Sequence, residues 1–201
     1  MDMAVDIGMG FSEDERARVG GLYWEAFRRK LSPAFAEDGA GREFITAAMR
    51  PDRVIAARVE GTVTGVCGVH HGGRGAFDPA WSEMTTRLGA VGAVRALLAL
   101  TPLHRRAPEG VLVLDGICVA QDHRGRGIGS LLLEAADSYA LRHGLSAVEL
   151  SVVDTNPRAE ALYRRRGFTP VGSASLGFLS GLYGFGSSTA LRRLPDGERA
   201  E

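Results

Sequence analysis

The chain has 201 residues, 45% of them hydrophobic and 24% charged, enough to close one sizeable core, so a single domain over 1–201 is expected. Lysine plus arginine and aspartate plus glutamate number 24 each, which leaves no global field to favour nucleic acid or an anionic membrane. The start, Met1 to Asp6, is acidic where a secretory leader is basic, and no run approaches the roughly 20 apolar residues of a membrane span. The expectation is a cytoplasmic protein with no nucleic-acid or membrane partner.

In chain order, Ser12 to Lys30 reads as a helix. Ser12 and Glu15 make a capping box, and Val19, Leu22, Tyr23, Ala26 and Phe27 share one face. Glu43 to Met49 belongs to a second helix. Arg53–Arg58 and Thr62–His70 read as strands joined at Glu60-Gly61, a weaker hairpin signal than Asn-Gly. The stretch 72–110 is then an insertion of about forty residues, longer than a hairpin connection, and Met84, Leu88, Val91, Arg95 and Leu98 indicate a helix inside it. Three roles stay open for it: covering an acceptor site, packing a second subunit in a homodimer, or lining the surface. A membrane-surface helix is disfavoured because Gly89 to Leu100 carries only Arg95 as charge.

Val111 to Val119 is short, apolar and rich in β-branched residues, which marks a buried strand. Ile128, Leu131, Leu132, Ala135 and Tyr139 recur at helical spacing, with Gly144 as the stop. Ser146 to Val153 is the next strand. Asn156-Pro157 is an N-cap with proline at the first helical position, and Gly167-Phe168 a helix stop. A short strand over Phe168–Gly172, a glycine-bearing connection around Leu176 to Gly181 and a last strand over Tyr183–Leu191 follow. Residues 195–201 are polar enough to fray. Cys67 and Cys118 each lie inside an apolar run, where a buried thiol is the simplest role, and the histidines show no zinc-type spacing. No metal is expected.

Between strand and helix lies Arg124-Gly125-Arg126-Gly127-Ile128-Gly129-Ser130. Glycines there let backbone N–H groups close on an anion at the positive end of the helix dipole, and Arg124 and Arg126 add charge. A P-loop would need Gly-Lys-Ser/Thr, and the dinucleotide fingerprint a third glycine where Ser130 stands; neither fits. Arg124-x-x-Gly127-x-Gly129 resembles instead the acyl-CoA pyrophosphate loop of the GNAT superfamily of N-acetyltransferases. A second segment, Asn156, Ala159 or Ala161, Leu162-Tyr163 and Gly167-Phe168, matches that family's other signature, so the likeness spans about Leu114 to Val171. The same residues also have plain structural readings, as caps and as an apolar stripe.

The resemblance implies an α/β fold with a mixed, largely antiparallel sheet, helices on both faces and a central strand pair that splays around acetyl-CoA. It implies that Arg124, Gly125, Arg126, Gly127, Ile128, Gly129 and Ser130 hold the pyrophosphate, that the backbone of Ile117, Cys118 and Val119 pairs with the pantetheine arm, and that Asn156 hydrogen-bonds that arm. Tyr163 would protonate the leaving sulfur, general-acid help worth on the order of 10² to 10⁴ in rate. A main-chain N–H near Cys118 or Val119 would meet the oxyanion. Asp115 is the candidate base, with a bond to a neighbouring backbone group as its alternative role.

Tyr23, Trp24 and Phe27 are candidate walls for the acceptor, with Glu25 as counter-charge, although Trp24 and Phe27 also suit a core. The expected activity is transfer of an acetyl group to the primary amine of a small molecule. A protein or peptide acetyltransferase and a silent acyl-CoA sensor are the alternatives.

Overall fold

The computed structural model describes residues 4–77, 79–101 and 107–195. The elements are β1 (Val5–Met9), α1 (Glu13–Leu31), α2 (Asp38–Ala48), β2 (Val54–Val59), β3 (Thr62–His70), α3 (Trp81–Leu100), β4 (Val111–Val119), α4 (Ile128–Arg142), β5 (Ala147–Val153), α5 (Pro157–Arg165), β6 (Thr169–Ser175), α6 (Ser180–Tyr183) and β7 (Ser187–Arg193).

Local chemistry sets most of the boundaries. At the head of α1, the Ser12 N–H donates to Glu15 Oε2 at 2.9 Å, completing the capping box. Arg58 clamps the same carboxylate from β2, at 2.6 and 2.7 Å. Glu60 (φ 50°) and Gly61 (φ 75°) both adopt the left-handed conformation that a two-residue hairpin turn demands. Asn156 caps α5 by accepting from the Ala159 N–H at 3.2 Å, with Pro157 at the first helical position.

The seven strands form one sheet in the order β1-β2-β3-β4-β5-β7-β6. Every neighbouring pair is antiparallel except β4 and β5, which run parallel. One face is covered by α1, α2 and α3, through Val19, Leu22, Phe44, Ile45, Ala93 and Ala96 against Val54 and Val66. The other is covered by α4 and α5, through Ile128, Leu132, Leu133 and Tyr163 against Leu112, Leu114 and Leu150. This is the expected mixed, largely antiparallel sheet with helices on both faces.

Three features were not anticipated. The strand β1 pairs with β2 from Val5↔Val59 to Met9↔Ile55, a partner about fifty residues away that no local signal announces. The last strand starts at Ser187, because Gly177–Leu179 forms a 3-10 turn and Ser180–Tyr183 a helical one. Within 72–110, α3 bends at Gly89 (φ 70°) and buries Ala93 and Ala96, while Arg95 donates to the Pro33 and Phe35 carbonyls at 3.2 and 2.8 Å. Its inner side is therefore part of the core. Residues 102–106 of that stretch, and 196–201 of the expected tail, lie outside the described residues. Among the described residues, no helix is long and apolar enough to cross a membrane.

Candidate active site

The site begins as an interruption in the sheet. The parallel strands β4 and β5 pair only from Val111↔Ala147 to Val113↔Glu149. Just beyond, the register of β4 against β3 skips from Val69↔Leu114 to Gly68↔Gly116, so Asp115 is an extra residue in a β-bulge. The strands part there. A cavity of about 400 Å³ opens between them, lined by Gly116 and Ile117 of β4, Leu150 to Val153 of β5, Asn156, Ala159 and Tyr163 of the α5 region, and Phe27 of α1.

Peptide orientation along the exposed half of β4 follows from one bond. The Ala120 N–H donates to the Thr64 carbonyl at 2.7 Å. Residues two apart in a strand turn their peptide groups to the same edge, so Cys118 faces β3. Ile117 and Val119 turn theirs to the opening. The Val119 carbonyl accepts from Arg124 Nε at 2.9 Å, so Arg124 ties the following loop to β4.

That loop enters α4 through Gly125 (φ 78°) and Gly127 (φ 83°), both left-handed and both with open space where a Cβ would sit. Gly127 is the N-cap and supplies no side-chain acceptor. The Ser130 N–H closes on the Gly127 carbonyl at 2.9 Å. The amides ahead of it in the turn, those of Ile128 and Gly129, have no intrahelical acceptor and suit an anion. A Cβ on Gly129 would lie 3.5 Å from Leu162, the residue before Tyr163. The anion cradle and the cavity phenol are thus in packing contact through α5. The residues present fit a diphosphate-bearing acyl carrier.

Tyr163 is 8% exposed and packs edge-on against Phe168, with ring centroids 6.0 Å apart. Burial raises its pKa, so the phenol keeps its proton at neutral pH. Burial likewise pushes the Cys118 thiol up to about 12 and raises that of Cys67, so neither is a thiolate nucleophile. Both cysteines are free. Asp115 borders the opening, but its Oδ2 accepts the Ala76 N–H at 3.1 Å and its Oδ1 lies 3.7 Å from His70 Nδ1.

Residues 18–168 match the model of the acetyltransferase (GNAT) family. The chain belongs to that family. Over 79 residues it is 37% identical to streptothricin acetyltransferase of Streptomyces lavendulae, covering 39% of this chain and 42% of that protein. Over 56 residues it is 39% identical to thialysine N-epsilon-acetyltransferase of Bos taurus, covering 28% of this chain and 33% of that one. The chain thus spans less than half the length of these curated relatives. An N-acetyltransferase structure from Staphylococcus aureus Mu50 shares the fold at a TM-score of 0.66 and 17% identity, over 94% of this chain and 100% of that one.

Within this GNAT chain, the structure brings together Tyr163, Asn156, Ile117 and Phe27, all on the cavity wall, with Asp115 at its border. The proposed acceptor wall is otherwise redistributed. Trp24 is 6% exposed and packs edge-on against Phe35 at 5.8 Å, over Gly41, where a Cβ would meet its ring at 2.4 Å; it is core. Tyr23 is also buried and donates to the Asp115 carbonyl at 3.4 Å, behind Phe27, whose ring centroid is 4.6 Å away. The Phe27 ring lies against Gly116, where a Cβ would come within 2.5 Å of it. Sequence reading missed Arg29, Tyr183 and Phe185, which also line the cavity. For Arg29 the sequence shows only a basic last turn of the helix, which does not distinguish it from Arg28 and Lys30. Nothing local could place Tyr183 and Phe185 there.

Proposed function

We propose that this chain is an acetyl-CoA-dependent N-acetyltransferase that passes the acetyl group directly to a primary amine of a small molecule. The single observation that carries the reading is the bulge-opened gap between β4 and β5, with a protonated phenol on one wall and a glycine-capped helix start packed against the helix that bears it. An opening of about 400 Å³ between strands suits a compact acceptor better than an extended peptide groove.

When bound, acetyl-CoA supplies a thioester carbonyl as electrophile. The outward amides of Ile128 and Gly129, with Arg126 alongside, hold the pyrophosphate. The peptide groups of Ile117 and Val119 that face the opening hold the pantetheine arm, and the Val119 N–H is the donor nearest the expected oxyanion. Asn156 caps α5 while reaching the cavity, so one side chain fixes the helix and borders the arm. Tyr163 donates its proton to the departing sulfur. Asp115 is assigned to holding the 71–77 segment through the Ala76 N–H, and much of the acceleration comes from placing amine and carbonyl together.

The test is free-thiol release from acetyl-CoA with a panel of amines and peptides, alongside calorimetry of acetyl-CoA binding. Saturable turnover with small amines is the expected result. Binding without turnover by any amine would replace the enzyme with a sensor, and preference for peptides would replace the acceptor class.

A further inference from the structure

The cavity runs through the sheet from one face to the other. Asn156, Ala159 and Tyr163 approach from the side of α4 and α5, where the cofactor-gripping groups are. Phe27 approaches from the side of α1, and Tyr183 belongs with it because its hydroxyl donates to the Ala99 carbonyl of α3 at 2.6 Å. The α1 side is therefore what remains for the acceptor. Its chemistry is specific: three aromatic rings, Phe27, Tyr183 and Phe185, and two cations, Arg29 and Lys30, from the last turn of α1.

Basic residues in a last helical turn usually answer the helix dipole. Arg29 does more than that. It crosses to α6 and lies on Gly184, whose left-handed backbone (φ 72°) and missing side chain leave the space it fills; a Cβ there would sit 2.0 Å from Arg29 Nε. Among the described residues no carboxylate pairs with Arg29, whereas its neighbour Arg28 lies 3.8 Å from Asp38. Lys30 Nζ sits 4.3 Å above the Phe27 ring and adds positive charge to the same wall. Among the described residues that border the cavity the one acid, Asp115, is already engaged by Ala76 and His70. A polycationic acceptor meets repulsion in such a wall, while a guanidinium held at a fixed place offers paired donors to an anion.

We propose that Arg29 receives an anionic group of the acceptor, so that the acceptor is a small amine carrying a carboxylate or phosphate next to an apolar body, with an apolar α-amino acid as the simplest case. This rests on the acetyl-transfer reading above. The balance is that of amide formation: the amine N–C bond forms, the thioester C–S bond breaks, and the proton lost by the amine is matched by the one that ends on the CoA thiol.

The experiment compares matched acceptors in the thiol-release assay: L-phenylalanine, L-phenylalaninamide, 2-phenylethylamine and O-phosphoethanolamine, with wild type and Arg29→Gln. For wild type, kcat/KM for L-phenylalanine should exceed that for the amide and the amine by about tenfold or more, and Arg29→Gln should bring the ratio near one. Preference for O-phosphoethanolamine over L-phenylalanine, lost in Arg29→Gln, supports the anion contact and assigns phosphate as its source. Equal turnover of charged and uncharged acceptors, or an unchanged ratio in the variant, overturns the proposal. Ligand-observed NMR of L-phenylalanine and O-phosphoethanolamine with CoA present reads binding without chemistry. If neither binds wild type more tightly than Arg29→Gln, the proposal fails even where amines turn over. Failure of acetyl-CoA to bind by calorimetry overturns instead the reading beneath it.

Discussion

Of the openings among the described residues, two of similar size have walls that differ in what their charges do. One, of about 480 Å³, lies between α4, the end of α5 and β7 and is lined by Glu134, Asp137, Arg165, Arg166 and Arg193. Its ions answer one another. Arg193 pairs with Asp137, Arg166 lies 2.6 Å from Glu134, and Arg193 also donates to the Arg166 carbonyl at 3.1 Å and stacks 4.7 Å over Phe168. The other, between β4 and β5, holds a phenol with its proton, peptide groups without sheet partners and a cation set against a glycine. The lesson is that volume alone does not mark a site; what the walls can offer a ligand does. The larger opening is a fastening between α4, α5 and β7.

The comparison can be broken most forcefully at the fastening. Arg193→Met removes the ion-pair partner of Asp137, only 4% exposed at its side chain, and should cost about 3–5 kcal/mol of unfolding free energy in denaturant titrations while leaving KM for acetyl-CoA near its wild-type value. A small stability loss with a large rise in KM would make that opening functional after all. Next in size, Gly127→Val places a β-branched residue at φ 83° in the cradle. It should weaken acetyl-CoA binding about a hundredfold by calorimetry, with the far-UV circular dichroism unchanged.

Tyr163→Phe sharpens the contrast by removing one hydroxyl and little volume. It should lower kcat by about tenfold or more in the thiol-release assay and leave acetyl-CoA affinity almost unaltered, as the proposed role of the phenol toward the leaving sulfur requires. Equal turnover would take Tyr163 out of the proton-donor role.

The smallest effect concerns an ion pair intermediate between the two walls, Glu15 with Arg58. The Arg58 hydrogen bond, opposed by some desolvation, holds the Glu15 carboxyl at about 2 against an ordinary 4.5. A depressed folded-state value means the contribution is complete above 4.5 and drains away as pH falls toward 2. Glu15→Gln should therefore be less stable than wild type at neutral pH, with the two melting temperatures converging on acidification through that window. A gap that stays constant with pH would show that the carboxylate charge is not what Arg58 and the capping box use.

The sequence was most readable where local chemistry is decisive. Glycines with positive φ at 125, 127, 144 and 167, and the Asn156-Pro157 cap, bound α4 and α5 within a residue or two of their expected limits. The fold class came with the family resemblance that those segments carry. What stayed hidden depends on distant partners. β1 exists because β2 borrows its edge; Trp24 is core because Gly41 of α2 approaches it; Tyr183 faces the cavity because its hydroxyl reaches α3. Asp115 illustrates the same limit, since its carboxylate is committed to a backbone amide 39 positions away that no spacing rule connects to it. Gly116 is the one hint of the bulge, a glycine inside an otherwise largely apolar strand.

The single surplus residue at Asp115 has an evolutionary consequence. Because the opening between β4 and β5 is cut by a slip in strand counting, its presence depends on backbone register more than on any one side chain around it. A lineage can exchange nearly every flanking side chain, retuning which amine it greets, and still inherit the same aperture. Deleting one position from this strand would be the rarer and graver event, for it would zip the sheet shut.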